Sequence, residues 1–285
     1  MRRITRIVHG LLIGLLICAA GSGVFFIQTR IDRIRKPREA IVRELMYFPS
    51  GKFMRVATVG YDNLAADLVW LRAIQYYGQH RLTDLKFEYL GHIFDILTTL
   101  NPRFTDAYTF GSLLLADDAK EPERALLLLD KGMRNNPHNW RIPFTKGFIY
   151  YVFLRDFFKA GKYFEMASTK DGAPEMAARF ASFSYQRGGD RITAINLWGE
   201  IYTRSENEVE KVTALRYWKR LVSEILDEKV NEYRKRFGRY PYALSELVEA
   251  GLVRKLPVAP DGDTFVFNWR RRRIEPASGP LRKEE

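Results

Sequence analysis

The side chains that carry most protein chemistry are few in this sequence and far apart. Four histidines, His9, His80, His92 and His138, are scattered along 285 residues with no HExxH or other metal-ligand spacing, so they offer a zinc ion no common face. The single cysteine, Cys18, sits in the apolar run Leu15-Leu16-Ile17-Cys18-Ala19-Ala20. A thiolate is disfavoured there, and one cysteine excludes an intrachain disulfide framework and a Cys-rich zinc site. Gly21-Ser22-Gly23 is not a phosphate loop with its lysine after a strand, and no GxSxG elbow occurs. Asp117-Asp118 and Glu121 with Glu123 pair carboxylates as an acid and base would need. At adjacent positions in a polar loop they read as solvated charge. The chain is expected to be no enzyme, with no cofactor and no metal.

Charge points to binding. Forty-six Lys and Arg against 34 Asp and Glu leave a net +12, which favours lipid head groups, acidic peptides or nucleic acid. Arg270-Arg271-Arg272-Arg273 with Arg282 and Lys283 form a basic tail, and Trp269 beside it is of a type that stacks on bases. A membrane anchor argues against nucleic acid, because the same arginines serve head groups or an acidic protein.

The anchor is read from Leu11 to Ile27, seventeen residues without charge, behind a basic tail at 1–10. With residues 7–10 the stretch is long enough to cross a bilayer as a helix of about 30 Å. Ala19-Ala20-Gly21 resembles a signal-peptide cleavage site, but Val24, Phe25, Phe26 and Ile27 continue the apolar run and suit an uncleaved span. Ile17 stands where a lipobox would want a small residue, so Cys18 reads as an apolar membrane residue. Gly10-xxx-Gly14 would allow two spans to pair, although no dimer is expected. The segment 28–60 is basic at first, and the cluster Arg30, Arg33, Arg35, Lys36 and Arg38 within residues 30–38 suits anionic head groups. A strict count of positive charges puts the large domain after the span in the cytoplasm. The short basic tail before one N-terminal span favours export, so the expectation is a single-pass bacterial inner-membrane protein with a periplasmic domain.

The middle of the chain repeats. Leu90, Ala125, Ala160 and Ala194 recur at steps of 35, 35 and 34 residues; Phe94, Leu129, Phe164 and Trp198 follow them by four, and Leu97, Gly132, Ala167 and Ile201 by seven. Offsets of 0, 4 and 7 share one helical face. A second series, Gly111, Gly147 and Ser182, is followed three residues later by Leu114, Tyr150 and Tyr185. Asn101-Pro102, Asn136-Pro137 and Pro174 close successive units, since proline ends a helix and suits the first turn of the next. Upstream, Leu64, Leu68, Leu71 and Tyr77 have near-helical spacing before a long segment, Gly78 to Asp84.

On these residues the segment 61–206 resembles a tetratricopeptide repeat array, best in its last unit with Ala178, Ala181-Ser182, Tyr185, Gly189, Ala194 and Trp198. The resemblance implies an all-α solenoid of about four helix pairs that binds protein segments and performs no chemistry. Counting along the first helices gives groove candidates Tyr108, Ser112, Arg141, Phe144, Phe148, Tyr151, Arg179, Phe183 and Arg187. Aromatics interleaved with arginines suit a partner segment of acidic character. The alternative is that Phe144, Phe148 and Phe183 are inter-helix core and the arginines a solvated face.

Residues 207–237 are charged but carry Val212, Leu215, Trp218, Leu221, Ile225 and Val230, and read as a capping helix. Beyond it Tyr240-Pro241, a short helix at Ser245 to Ala250, Gly251, Leu256-Pro257 and Pro260-Asp261-Gly262 precede a strand at Thr264 to Trp269. With Arg270 to Ile274 that strand suggests a hairpin, making 238–274 a small α+β segment before a flexible tail at 275–285. Residues 238–268 resemble the C-terminal part of type II secretion major pseudopilins. That implies a place beside secretion or pilus-like machinery, although no Gly-Phe or Gly-Met cleavage site with a glutamate five residues on opens the apolar stretch. Asp261 and Asp263 echo that family's calcium-binding turn; exposed turn carboxylates are otherwise just solvated. The reading as a whole is a membrane-anchored scaffold for envelope proteins. Its alternative is a cytoplasm-facing adaptor whose basic surfaces bind anionic lipid or nucleic acid.

Overall fold

The computed structural model describes residues 50–279, with Ser22, Gly23 and Arg30. The rest of the expected anchor, its Gly10-xxx-Gly14 face, the remainder of the 30–38 cluster, and Arg282 and Lys283 lie outside the described residues. Among the described residues no helix is long and apolar enough to cross a membrane.

The chain is mostly helical. Helix α1 (Gly51–Ala57) precedes four pairs: α2 (Asp62–Arg81) with α3 (Leu90–Leu100), α4 (Thr105–Asp117) with α5 (Pro122–Asn135), α6 (Arg141–Ile149) with α7 (Phe157–Ser168), and α8 (Met176–Arg187) with α9 (Arg191–Arg204). Each helix packs on its partner, consecutive pairs join through α3–α4, α5–α6 and α7–α8, and α4 also meets α6. Helix starts follow local chemistry. Pro122 opens α5, where a missing N–H costs nothing. Asp156 accepts from Lys159 N and Asp190 from Thr193 N, capping α7 and α9 at positions 34 residues apart.

The repeating positions are the core. Leu90, Ala125, Ala160, Ala194, Phe94, Leu129, Phe164 and Trp198 are all fully buried, and each large one contributes about 1.5–3 kcal/mol by leaving water. Glycines receive the rings of a neighbouring helix, within a pair or from the next one. A Cβ on Gly111 would stand 2.5 Å from Phe94 Cδ1, one on Gly147 2.9 Å from Phe164 Cδ1, and one on Gly161 2.9 Å from Tyr185 Cγ. Repeated small residues therefore let the pairs close on bulky rings.

The first unit departs from its expected stripe. Leu64, Leu68 and Leu71 are 57–58% exposed, whereas α2 buries Ala66, Val69, Ala73 and Tyr76. Ala66 and Ala73 are small enough to allow close approach to α3, and α2 runs to Arg81, through most of the expected loop. The expected 28–60 segment is also divided, because α1 packs on α3 with Gly51 against Thr99.

Helix α10 (Glu208–Phe237) closes the array against α9, starting at an Asn207 cap and ending at left-handed Gly238. Helix α11 (Ser245–Glu249) follows, then strands β1 (Phe265–Asn268) and β2 (Arg273–Pro276), antiparallel with Phe265 opposite Pro276. The hairpin lies on α10, where Asp227 Oδ1 accepts from Ile274 N at 2.6 Å. Strand β2 thus reaches Pro276, past the expected boundary at 274.

Candidate protein-binding surface

Two of the nine groove candidates lie in the core. Tyr108 and Ser112 are fully buried. The Tyr108 hydroxyl stands 3.3 Å from Thr98 O and 3.2 Å from Pro102 O and accepts from Asn135 Nδ2, while its ring fills the space that glycine leaves at Gly132. Ser112 donates to Thr109 O within its own helix. Both are on α4, which packs on α3, α5 and α6 together. Burial by these neighbours removes both residues from a partner's reach.

Phe144 and Phe183 tie adjacent units together at the edge of the core. Phe144 meets Trp140, Phe164 and Phe180 at centroid distances of 5.0–5.8 Å. Phe183 packs edge-on against Trp198 and Tyr217, which stack on each other at 4.8 Å. Arg179 is half-buried, with its Nε 3.4 Å from Glu210 Oε1. These three serve packing between α6, α8 and α10.

Arg141, Phe148, Tyr151 and Arg187 remain at the surface. Arg141 lies over the Trp140 ring and 3.6 Å from Asp106, across from α6 to α4. Phe148 is 37% exposed beside Phe153. Tyr151 is carried by a π-helical turn, Tyr150–Leu154, that ends at left-handed Arg155. In that turn Tyr150 stacks on Tyr163, while the Tyr151 hydroxyl accepts from Arg187 Nη1 at 2.9 Å. The Arg187 guanidinium also lies 4.6 Å from the Phe157 ring centre. Among the described residues no carboxylate comes within ion-pair distance of Arg187.

The structure adds a third step on α10. Arg216 and Arg220 lie over the Tyr217 ring at 5.6 and 4.5 Å. Arginines of α6, α8 and α10 thus lie over rings, and the contacts Arg187–Tyr151 and Phe183–Tyr217 join α8 to the turn after α6 and to α10. A guanidinium over a ring can still donate to carboxylates at reduced entropic cost, and Arg141 and Arg220 already stand 3.6 and 3.9 Å from the exposed Asp106 and Glu224. Tyr217 lies outside the sequence-derived set because the aligned repeat ends at Ile201. Its 37-residue step from Phe180, after 36 from Phe144, is the signal that extends it.

The C-terminal turn has its own internal cation. Lys219, 7% exposed as a side chain, places Nζ 2.7 Å from Asp261 Oδ2 and Asp263 Oδ2. Burial pushes the Asp263 carboxyl up, but donation from Lys219 and Ser278 outweighs it and brings it down to about 2. Among the described residues no three His, Cys, Asp or Glu side chains gather to hold a metal. No protein-family model matches the chain, and no characterised protein matches it either.

Proposed function

We propose that the chain is a membrane-anchored, tetratricopeptide-like scaffold that binds envelope protein segments of acidic character. Its anchor is the apolar stretch 11–27, its site the bacterial inner membrane, and its helical domain periplasmic. The observation that carries the reading is the set of arginines on α6, α8 and α10 that lie over aromatic rings. Aromatic faces offer apolar contact and the guanidinium edges offer paired donors, as an extended segment with Asp or Glu requires. The resemblance of 238–268 to pseudopilin C-termini supports clients in a secretion or pilus-like apparatus.

Photo-crosslinkers placed at Phe148 and Tyr217 in the membrane-embedded chain test the surface. Cross-linked partners should disappear in Arg187→Glu and Arg220→Glu and survive deletion of 270–285. The opposite pattern overturns the reading. Protease digestion of spheroplasts against inverted vesicles tests the orientation, with digestion in spheroplasts expected.

A second reading is supported by the surface at Trp269, which is 51% exposed and touches Tyr240, Tyr242 and Phe267, with Arg234 and Arg239 over the tyrosines. It makes the chain a cytoplasm-facing adaptor that engages anionic lipid or nucleic acid. Salt-sensitive, sequence-indifferent binding to either, lost on deletion of 270–285, would favour it.

A further inference from the structure

The chain carries +12 overall, yet the junction of its last helices holds a carboxylate-lined cavity. A space of about 260 Å³ opens between α7, α8, α9 and α10, lined by Glu165, Glu175, Glu200 and Glu210 against a single lining arginine, Arg204, with Leu197 and Ile201 in its apolar wall. The volume falls just below the ~300–1,000 Å³ of pockets for drug-sized ligands, so it suits one side chain or a small molecule.

Glu210 decides the chemistry. It is 4% exposed, it lines the cavity, and its Oε1 accepts no hydrogen bond. Its other oxygen accepts from Ser205 Oγ at 3.0 Å. Arg179, which does not line the cavity, has Nε 3.4 Å from Oε1, beyond good hydrogen-bond length. The ion pair with Arg179 offsets part of the cost of burying this oxygen but leaves it without a hydrogen bond, which a charged donor inside the cavity would supply. The Glu175 carboxyl is held above its ordinary range, first by its interaction with the Glu210 side chain and then by desolvation. Glu165 already accepts from the Tyr185 hydroxyl at 2.7 Å. The carboxylates do not converge closely enough for a metal ion. An organic cation satisfies them from a larger radius.

We propose that this cavity receives an alkylammonium group on a short apolar stem, supplied by a lysine side chain of a partner protein or by a free diamine. A compact ammonium presents three donors in different directions, as carboxylates from three helices and the turn before α8 require, whereas a guanidinium needs a coplanar partner. The methylene stem lies against Leu197 and Ile201. This site is separate from the arginine-bearing surface and does not rest on its role.

Isothermal titration of the full-length protein in detergent tests the site. The probes are 1,5-diaminopentane and acetyl-Ala-Lys-Ala-amide, with the norleucine peptide and sodium chloride at equal ionic strength as controls. Saturable binding of at least one ammonium probe and of neither control is expected. Binding of the peptide alone assigns a protein lysine, and binding of the diamine alone assigns a free amine. Glu210→Gln should weaken binding at least tenfold, and Glu175→Gln, at an exposed position, should weaken it severalfold with the fold intact. Affinity should fall on acidification as Glu175, whose carboxyl is held up and which lies beside Glu165, Glu200, Glu210, Arg179 and Arg204, takes up a proton. Absence of saturable binding by both ammonium probes, or affinity unchanged in folded Glu210→Gln and Glu175→Gln, overturns the proposal.

Discussion

Lys219 Nζ stands 2.7 Å from Asp263 Oδ2 and at the same distance from Asp261 Oδ2, so a side chain of α10 neutralises a turn more than 40 residues away. Ser278 closes the cluster by donating to Asp263 Oδ2 at 2.5 Å. The contact fixes the hairpin segment to the capping helix. It also fills with an ammonium the space between the two carboxylates.

Replacing Lys219 with methionine keeps the buried stem and removes the charge, leaving two carboxylates facing each other. Breaking a buried pair in this way costs about 3 kcal/mol. Urea denaturation of the variant should show that loss. Calcium and EDTA should leave the midpoint of the unchanged protein where it was.

Acid should loosen the same region. Asp263, Glu246 and Glu275 each have folded pKa values of about 2, against ordinary values of 3.8, 4.5 and 4.5. For Glu246 the first cause is the Tyr233 hydroxyl, followed by Arg239; for Glu275 burial raises the value, but Asn268, Arg273 and Arg271 outweigh it. Depressed values mean that the folded state favours the ionised form. The stabilisation is complete above about pH 4.5 and is lost as pH falls toward 2. The denaturation midpoint should fall across that window, less steeply in a chain carrying Glu275→Gln and Asp263→Asn.

Two glycine-to-alanine changes should have opposite signs. Alanine favours a helix over glycine by about 1 kcal/mol. At Gly111 the new Cβ would meet the buried Phe94 ring at 2.5 Å, and overpacking of about 1–3 kcal/mol makes Gly111→Ala destabilising. At Gly199 the nearest neighbour is Trp218 Nε1 at 3.5 Å, an ordinary contact. Gly199→Ala should therefore be neutral or stabilising in thermal melts.

Asp190→Ala removes the cap of α9 and should cost about 1 kcal/mol. The carboxylate accepts from both Thr193 N and Thr193 Oγ1. Asp171, in the exposed turn before α8, makes a matched control whose replacement should leave the melting temperature unchanged.

Tyr108→Phe separates core from surface. It removes a hydroxyl that accepts from Asn135 and lies within reach of two carbonyls, so stability should fall by about 1 kcal/mol. Partner cross-linking at Phe148 should be unaffected, whereas Arg187→Glu should show the reverse.

The helical pairs were legible in the sequence because burial at offsets 0, 4 and 7 is a property of one helix, repeated every 34–35 residues. Phe94, Leu129, Phe164 and Trp198 fill the positions that this rule assigns them. The capping helix at 207–237 and the hairpin were legible for the same reason, from local spacing and turn residues. The periodicity marks which face of a helix is apolar, but not how many neighbours cover the rest of it. Only packing decided that Tyr108 and Ser112 lie inside, since α4 is enclosed by three helices. Only packing likewise brought Lys219 to Asp261 and Asp263, and Tyr217 to Phe183. The cavity at Glu210 has the same origin: its carboxylates come from three helices and the turn before α8, whose separation along the chain hides their proximity, and charge becomes costly only where the fold withholds water.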